Sequence, residues 1–183
     1  MPNDNALMLQ VQQGKLGVLA ELFEHNHVAL YHYFLRMGNS PAQSEDLVQD
    51  TFMKVMVYRD SFNGSASFKA WLYGIARNTA ADQFRKSQRW PESKDPSSLE
   101  QAAEKTLHDE IEHQQRHDRF AQALALLPTE LREILVLHRY QQLQYDEIAA
   151  LLNCNLNTLK ARMRKAVHEL HQQYATLTGE ASA

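Results

Sequence analysis

Apolar positions in this chain recur three and four residues apart along most of its length, the spacing of a buried helical face. Over residues 7–37 the period runs through Leu16, Leu19, Leu22 and Phe23, then Leu30, Tyr33 and Phe34, and predicts one helix. "GNSPAQSEDL" breaks it between Gly38 and Pro41. Ser44 then precedes "EDLVQDTFMKVMVY", a second helix with Leu47, Val48, Phe52, Val55 and Met56 turned inward. "RDSFNGSAS" reads as a loop from its Asn63-Gly64 pair and its serines. "FKAWLYGIARNTAADQFRK" is a third helix, its inner side Trp71, Leu72, Ile75 and Ala76.

"SQRWPESKDPSS" combines prolines, charges and serines and is the best candidate boundary between domains. Ser98 lies three residues before Gln101, a capping box that would open a helix ending before Pro128. Thr129 is placed to cap "ELREILVLHRY", and two further helices complete the chain. The pattern predicts an all-α fold of two small helical domains, residues 1–88 and 118–175, joined by an acidic linker at 89–117.

Composition agrees. Only six glycines and five prolines occur in 183 residues, few for a chain rich in turns. No apolar run approaches the roughly 18 residues that span a bilayer, so no stable membrane insertion is expected. The start "MPNDNALMLQ" lacks the basic and apolar regions of a signal peptide, and Cys154 is the single cysteine. Both features fit a cytoplasmic protein. Cys154 is read as a small turn residue, with oxidant sensing as the alternative.

Net charge is only −3, yet four cations fall between Lys160 and Lys165. They sit on the second of two short helices joined by "NCN", a corner of helix-turn-helix length. Ala149 suits close approach of that second helix, and Asn153 suits a sharp turn. Leu156, Leu159, Met163, Val167 and Leu170 form its apolar stripe. Asn157, Ala161, Arg164, Lys165 and His168 project opposite, with Lys160 and Arg162 on the flanks. Central amide and guanidinium groups suit base edges in a major groove, and flanking cations suit phosphates. With Thr158 added, these are the candidate duplex-contacting residues. The competing reading is a solvated cationic face on a helical hairpin.

"LPTELREILVLHRYQQLQYDEIAALLNCNLNTLKARMRKAVHEL" resembles the C-terminal DNA-binding domain of bacterial sigma factors of the extracytoplasmic-function class. "SEDLVQDTFMKVM" and "FKAWLYGIARNTAADQFRK" resemble the N-terminal domain of the same class. The resemblance implies a factor that binds core RNA polymerase and promoter DNA, melts the minus-10 element and reads the minus-35 element. It also implies an anti-sigma factor as a further partner. The polymerase contact maps onto Asp46, Gln49 and Asp50, which share a helical face. The minus-10 contact maps onto the loop residues Phe62, Asn63, Ser65 and Phe68, where aromatics can stack on an unpaired base. Asn78 matches an exposed asparagine of the reader helix, while Arg77, Arg85 and Lys86 would hold phosphates. The class often has Gly where this chain has Gln142 and Asn153, and Pro where it has Asn155; Asn155 is placed to cap the recognition helix instead.

No Gly-rich phosphate loop or nucleophile constellation appears, so no catalytic residue and no cofactor is assigned. A two-domain regulator that never touches polymerase would share the C-terminal half but has no need of "DLVQD" or the reader loop. His113 and His117, spaced i and i+4 with His108 and Glu112 nearby, leave open a metal-binding reading; the alternative is a polar linker helix, and no metal is assigned.

Overall fold

The computed structural model describes residues 3–89 and 109–179. Eight α-helices fill these residues: α1 (Asp4–Gln12), α2 (Val18–Arg36), α3 (Pro41–Tyr58), α4 (Phe68–Arg89), α5 (Asp109–Leu126), α6 (Thr129–Arg139), α7 (Tyr145–Leu151) and α8 (Leu156–Thr178). A 3₁₀ turn at Arg59–Ser61 follows α3. The expected helix over 7–37 is two helices. Gly14 has φ +89, a left-handed conformation that ends α1, and α2 starts after Gly17.

Local chemistry fixes the other ends. Ser40, not Ser44, caps α3: its hydroxyl accepts from Gln43 N and its N–H donates to Gln43 Oε1, with Pro41 at the first helical position. Ser44 is instead fully buried. At α6 the cap position is Pro128, and Thr129 is already helical. Gln144 and Glu147 form a capping box on α7. The expected capping box at Ser98 and Gln101 and the boundary segment "PESKDPSS" lie outside the described residues.

In the N-terminal half, α2, α3 and α4 bury Leu22, Leu30, Leu47, Val48, Val55, Leu72 and Ala76, and α1 closes one side with Leu7, Met8 and Val11. In the C-terminal half, α5 and α6 pack against α8, and α7 packs against α6 and α8. One hydrophobic cluster runs through both halves. Polar contacts stitch the seam. Tyr73 Oη donates to Gln141 Oε1 (2.5 Å), Arg132 Nη1 donates to Met37 O (3.3 Å), and the Arg36 guanidinium lies 3.9 Å over the Tyr140 ring.

Candidate polymerase and nucleic-acid surfaces

On α3 the core-facing residues leave Asp46, Gln49 and Asp50 together on the exposed side. The stripe continues past Asp50. Met53 and Val57, at 60% and 68% exposure, extend it two turns toward the helix end. Apolar residues seven and eleven positions after Asp46, opposite the core set, were a readable signal for this. A carboxylate and amide patch running into exposed apolar side chains is the composition of a docking surface with a basic rim and an apolar centre on its partner.

Behind that face, Lys54 Nζ lies 2.7 Å from Asp82 Oδ2, and Asp82 also accepts from Arg85. The hydrogen bond from Lys54, then that from Arg85, hold the Asp82 carboxyl below its ordinary range. Arg85 is exposed with Lys86 beside it, and Asn78 is exposed one face round.

In the loop before α4, the side-chain oxygen of Asn63 accepts from Ser65 N (2.9 Å) and Ser65 Oγ (2.6 Å), and Gly64 supplies φ +72. Asn63 and Ser65 are exposed at the tip. The aromatic pair expected to stack on a base is not. Phe62 and Phe68 are 3% and 0% exposed and pack with Trp71 at ring distances of 5.4 and 5.9 Å. Burial of so much apolar area outweighs presenting it, so these rings form the floor of the loop and the polar tip is what it offers.

Arg77 is also differently placed. Its Nε donates to both oxygens of Glu133 on α6, at 3.1 and 3.3 Å. Glu133, 7% exposed, accepts from Tyr33 Oη at 3.2 Å as well. Burial, then the Glu133 charge, push the Tyr33 phenol well up. In this arrangement Arg77 faces a carboxylate of the other half and not open solvent alone.

The corner between α7 and α8 forms as a helix-turn-helix. Asn153 adopts φ +50, Cys154 N donates to Ala149 O (2.9 Å), and Asn155 Oδ1 accepts from Thr158 N (2.8 Å). Gln142 takes φ +55 in the turn before α7. The inner stripe of α8 is Leu159, Met163 and Ala166, with Leu170 half-buried. Leu156 and Val167 are exposed at 40% and 53%, so the expected stripe is turned toward Ala166. The outer face keeps Asn157, Lys160, Ala161, Arg164, Lys165 and His168 exposed, with Thr158 and Arg162 half-buried at its flank. Beside it a groove is lined by Tyr145, Val167 and His171 together with Asn157, Lys160, Arg164 and His168. Tyr145 and His171 were not read from the sequence; an aromatic opening α7 and a polar residue two turns past Arg164 were the available signals. Cys154 is half-buried in the corner.

Two family models match the chain in order: sigma-70 region 2 over residues 22–90 and sigma-70 region 4 over residues 117–170. The ECF RNA polymerase sigma-E factor of Escherichia coli is 30% identical over 176 residues, covering 89% of this chain and 90% of that one. The chain belongs to the ECF sigma factors. The sigma factor EcfG of Rhodopseudomonas palustris is also 30% identical, over 145 residues covering 78% of this chain and 77% of its own. Among solved structures, the sigma factor RpoE of Bartonella quintana, in complex with the anti-sigma factor NepR, matches with TM-score 0.64 and 28% identity. That match covers 90% of this chain and 96% of the other. CnrH, solved with the cytosolic domain of CnrY, shares the fold at TM-score 0.70 and 23% identity.

As a sigma factor, the protein works with RNA polymerase at promoters in transcription initiation. Its region 2 match takes in the α3 face, the loop and α4, and its region 4 match takes in the helix-turn-helix. Among the described residues no group of three or more His, Cys, Asp and Glu side chains is placed to hold a metal. His108 and the side chains of His113 and His117 lie outside the described residues. No described helix is long and apolar enough to cross a membrane.

Proposed function

We propose that this sigma factor divides its work between residues 1–88, which hold core polymerase and the minus-10 element, and residues 118–175, which read the minus-35 element, with 89–117 as connector. Asp46, Gln49 and Asp50 make the polymerase contact, continued by Met53 and Val57. Asn63 and Ser65 meet the unpaired minus-10 base, Asn78 meets minus-10 DNA from α4, and Arg77, Arg85 and Lys86 hold phosphates. On α8, Asn157, Ala161, Arg164 and His168 face base edges, and Thr158, Lys160, Arg162 and Lys165 face the backbone. The protein performs no covalent chemistry of its own and acts in the cytoplasm. An anti-sigma factor restrains it, a reading supported by the RpoE relative having been solved with one.

The observation that carries this reading is the exposed polar tip Asn63–Ser65 on the same bundle as the exposed Asp46–Asp50 face. A regulator independent of polymerase needs neither. The test is run-off transcription with purified core polymerase on a promoter of the protein's own operon. Wild type should initiate at one start site. Asp50→Lys, with normal circular dichroism, should lose core binding in a pull-down and lose transcript in parallel. Unchanged core affinity in that variant removes α3 as the contact.

A further inference from the structure

Helix α1 lies outside the region 2 match, which begins at residue 22. Two of its side chains nonetheless reach the ends of the minus-10 loop. Asn5 Oδ1 accepts from Phe68 N at 2.6 Å, the first N–H of α4. Gln12 Nε2 donates to Arg59 O at 2.7 Å and to Phe62 O at 2.5 Å, where the chain leaves the 3₁₀ turn. Asn5 and Gln12 are seven residues apart, so they share a helical face about 10 Å long. That face spans the loop, one residue on each end.

The pair is itself held. Leu7, Met8 and Val11 are 2%, 0% and 0% exposed, which fixes the rotation of α1 against the bundle. Ser67 completes the far end by accepting from Ala70 N at 3.1 Å. Both orphan ends of the loop are therefore satisfied by side chains on rigid elements. Only the tip, Asn63 to Ser65, is left to vary, and its own Asn63–Ser65 bonds close it.

We propose that Asn5 and Gln12 are positioning residues for minus-10 recognition. One acceptor and one donor on α1 set the two ends of the loop and so set where Asn63 and Ser65 meet the base. This rests on the reading of the loop as the minus-10 reader. It makes opposite demands of two conservative changes. Asn5→Asp keeps the acceptor and adds a charge that suits a helix N-terminus. Gln12→Glu keeps the size but turns a donor into an acceptor facing two carbonyl oxygens.

The experiment uses the full chain with core polymerase and a pool of duplex promoters randomised over the minus-10 element, with the minus-35 element fixed. Each promoter is linked to a transcribed barcode, and barcode counts in RNA against template give base preference at each position; a reciprocal pool randomises the minus-35 element. Asn5→Ala and Gln12→Glu should each lower discrimination at one minus-10 position by about fivefold or more, the scale of one lost base contact. Asn5→Asp should keep the wild-type profile, and the minus-35 profile should not move in any variant. If Gln12→Glu does not fold, the Asn5→Ala and Asn5→Asp comparison decides alone. Equal flattening by Asn5→Ala and Asn5→Asp overturns the inference, as does a wild-type profile from Asn5→Ala. Asn63→Ala separates the two levels. If it shifts the minus-10 profile while the α1 variants do not, only the positioning role falls. If it too leaves the profile unchanged, the loop is not the minus-10 reader.

Discussion

Replacing Glu133 by alanine removes the one carboxylate that Tyr33 Oη, at 3.2 Å, and Arg77 Nε, at 3.1 and 3.3 Å, both reach across the seam. The two partners fare differently. The Arg77 side chain is 46% exposed and returns to water at little cost. Tyr33 is 2% exposed, and its hydroxyl is left buried without that acceptor. An unpaired buried hydroxyl costs about 1–3 kcal/mol, and lost packing of the Glu133 methylenes brings the expected total to about 2–4 kcal/mol. In a Tyr33→Phe background there is no hydroxyl to strand. The same Glu133→Ala change should then cost about 1–2 kcal/mol less, and that difference is the coupling energy. Urea melts of the four chains, followed by circular dichroism, measure it. One hydrophobic cluster runs through both halves, so wild type should unfold in a single transition. A coupling below about 0.3 kcal/mol, or two transitions of which Glu133→Ala shifts only one, would refute the role of Glu133 in holding the seam.

Three further outcomes follow from other parts of the fold. Gln142 is exposed at φ +55; Gln142→Gly removes about 1–2 kcal/mol of left-handed strain and gives back about 0.5–1 in backbone entropy. The urea midpoint should therefore rise, whereas Asn153→Gly should leave it nearly unchanged because Asn tolerates that region; a fall for Gln142→Gly rejects the account. Arg164→Ala should relax preference at one minus-35 position by about 1–3 kcal/mol, while Arg162→Ala should weaken all duplexes alike and flatten the salt slope by roughly one unit; the reverse pattern in duplex titrations rejects the assigned register of α8. Burial pushes the Tyr33 and Tyr73 phenols up, so the folded state holds protons that the unfolded chain releases near pH 10. Their contribution is complete below that pH and lost as pH rises above it; Tyr33→Phe should lessen the fall in urea midpoint between about pH 9 and 11, and an equally steep fall counts against it.

Much of this was legible in the sequence because it is local. The α3 core face, the inner side of α4 and the corner at Asn153 follow from periods of three and four and from turn chemistry. The misreadings have physical reasons. Leu16 and Leu19 keep helical spacing through the break after α1, so the period hid what Gly14 and Gly17 signal. The helix expected after Ser44 starts at Pro41, because Ser40, Pro41 and Gln43 form its cap. Phe62 and Phe68 carry equal promise as stacking platforms or as core, and only the position of α1 and Trp71 closes that question. On α8, Val167 and Ala166 are adjacent, and bulk favoured the wrong one as the inner residue. Nothing local announces that Tyr33 meets Glu133 a hundred residues away, nor that Asn5 and Gln12 reach the loop.

The seam between the halves sets one more expectation. Elements at minus-10 and minus-35 lie about 25 base pairs apart, about 85 Å of straight duplex at 3.4 Å per step. A compact chain of 183 residues has a radius of gyration of about 16 Å, a diameter of about 40 Å. Halves held together at Tyr33–Glu133 and Tyr73–Gln141 cannot set the α4 loop on one element and α8 on the other. Occupying both therefore requires the seam to open. The exchange is less costly than its contacts suggest, because Arg77 leaves one anion, Glu133, for another, a phosphate. The polar contacts of the seam can pass to a competing partner, and separating the apolar contacts beneath them is the cost that polymerase and promoter binding must supply. The measurement is a distance between spin labels at Ala42→Cys and Thr176→Cys, both exposed, in a Cys154→Ser background. The free chain should give the short distance of the closed arrangement. With core polymerase and promoter duplex it should lengthen by tens of ångströms, on the scale of the 85 Å separation. A distance that stays short in a complex active for transcription would show that the halves engage the promoter while closed, and would remove the exchange of Glu133 for phosphate at Arg77.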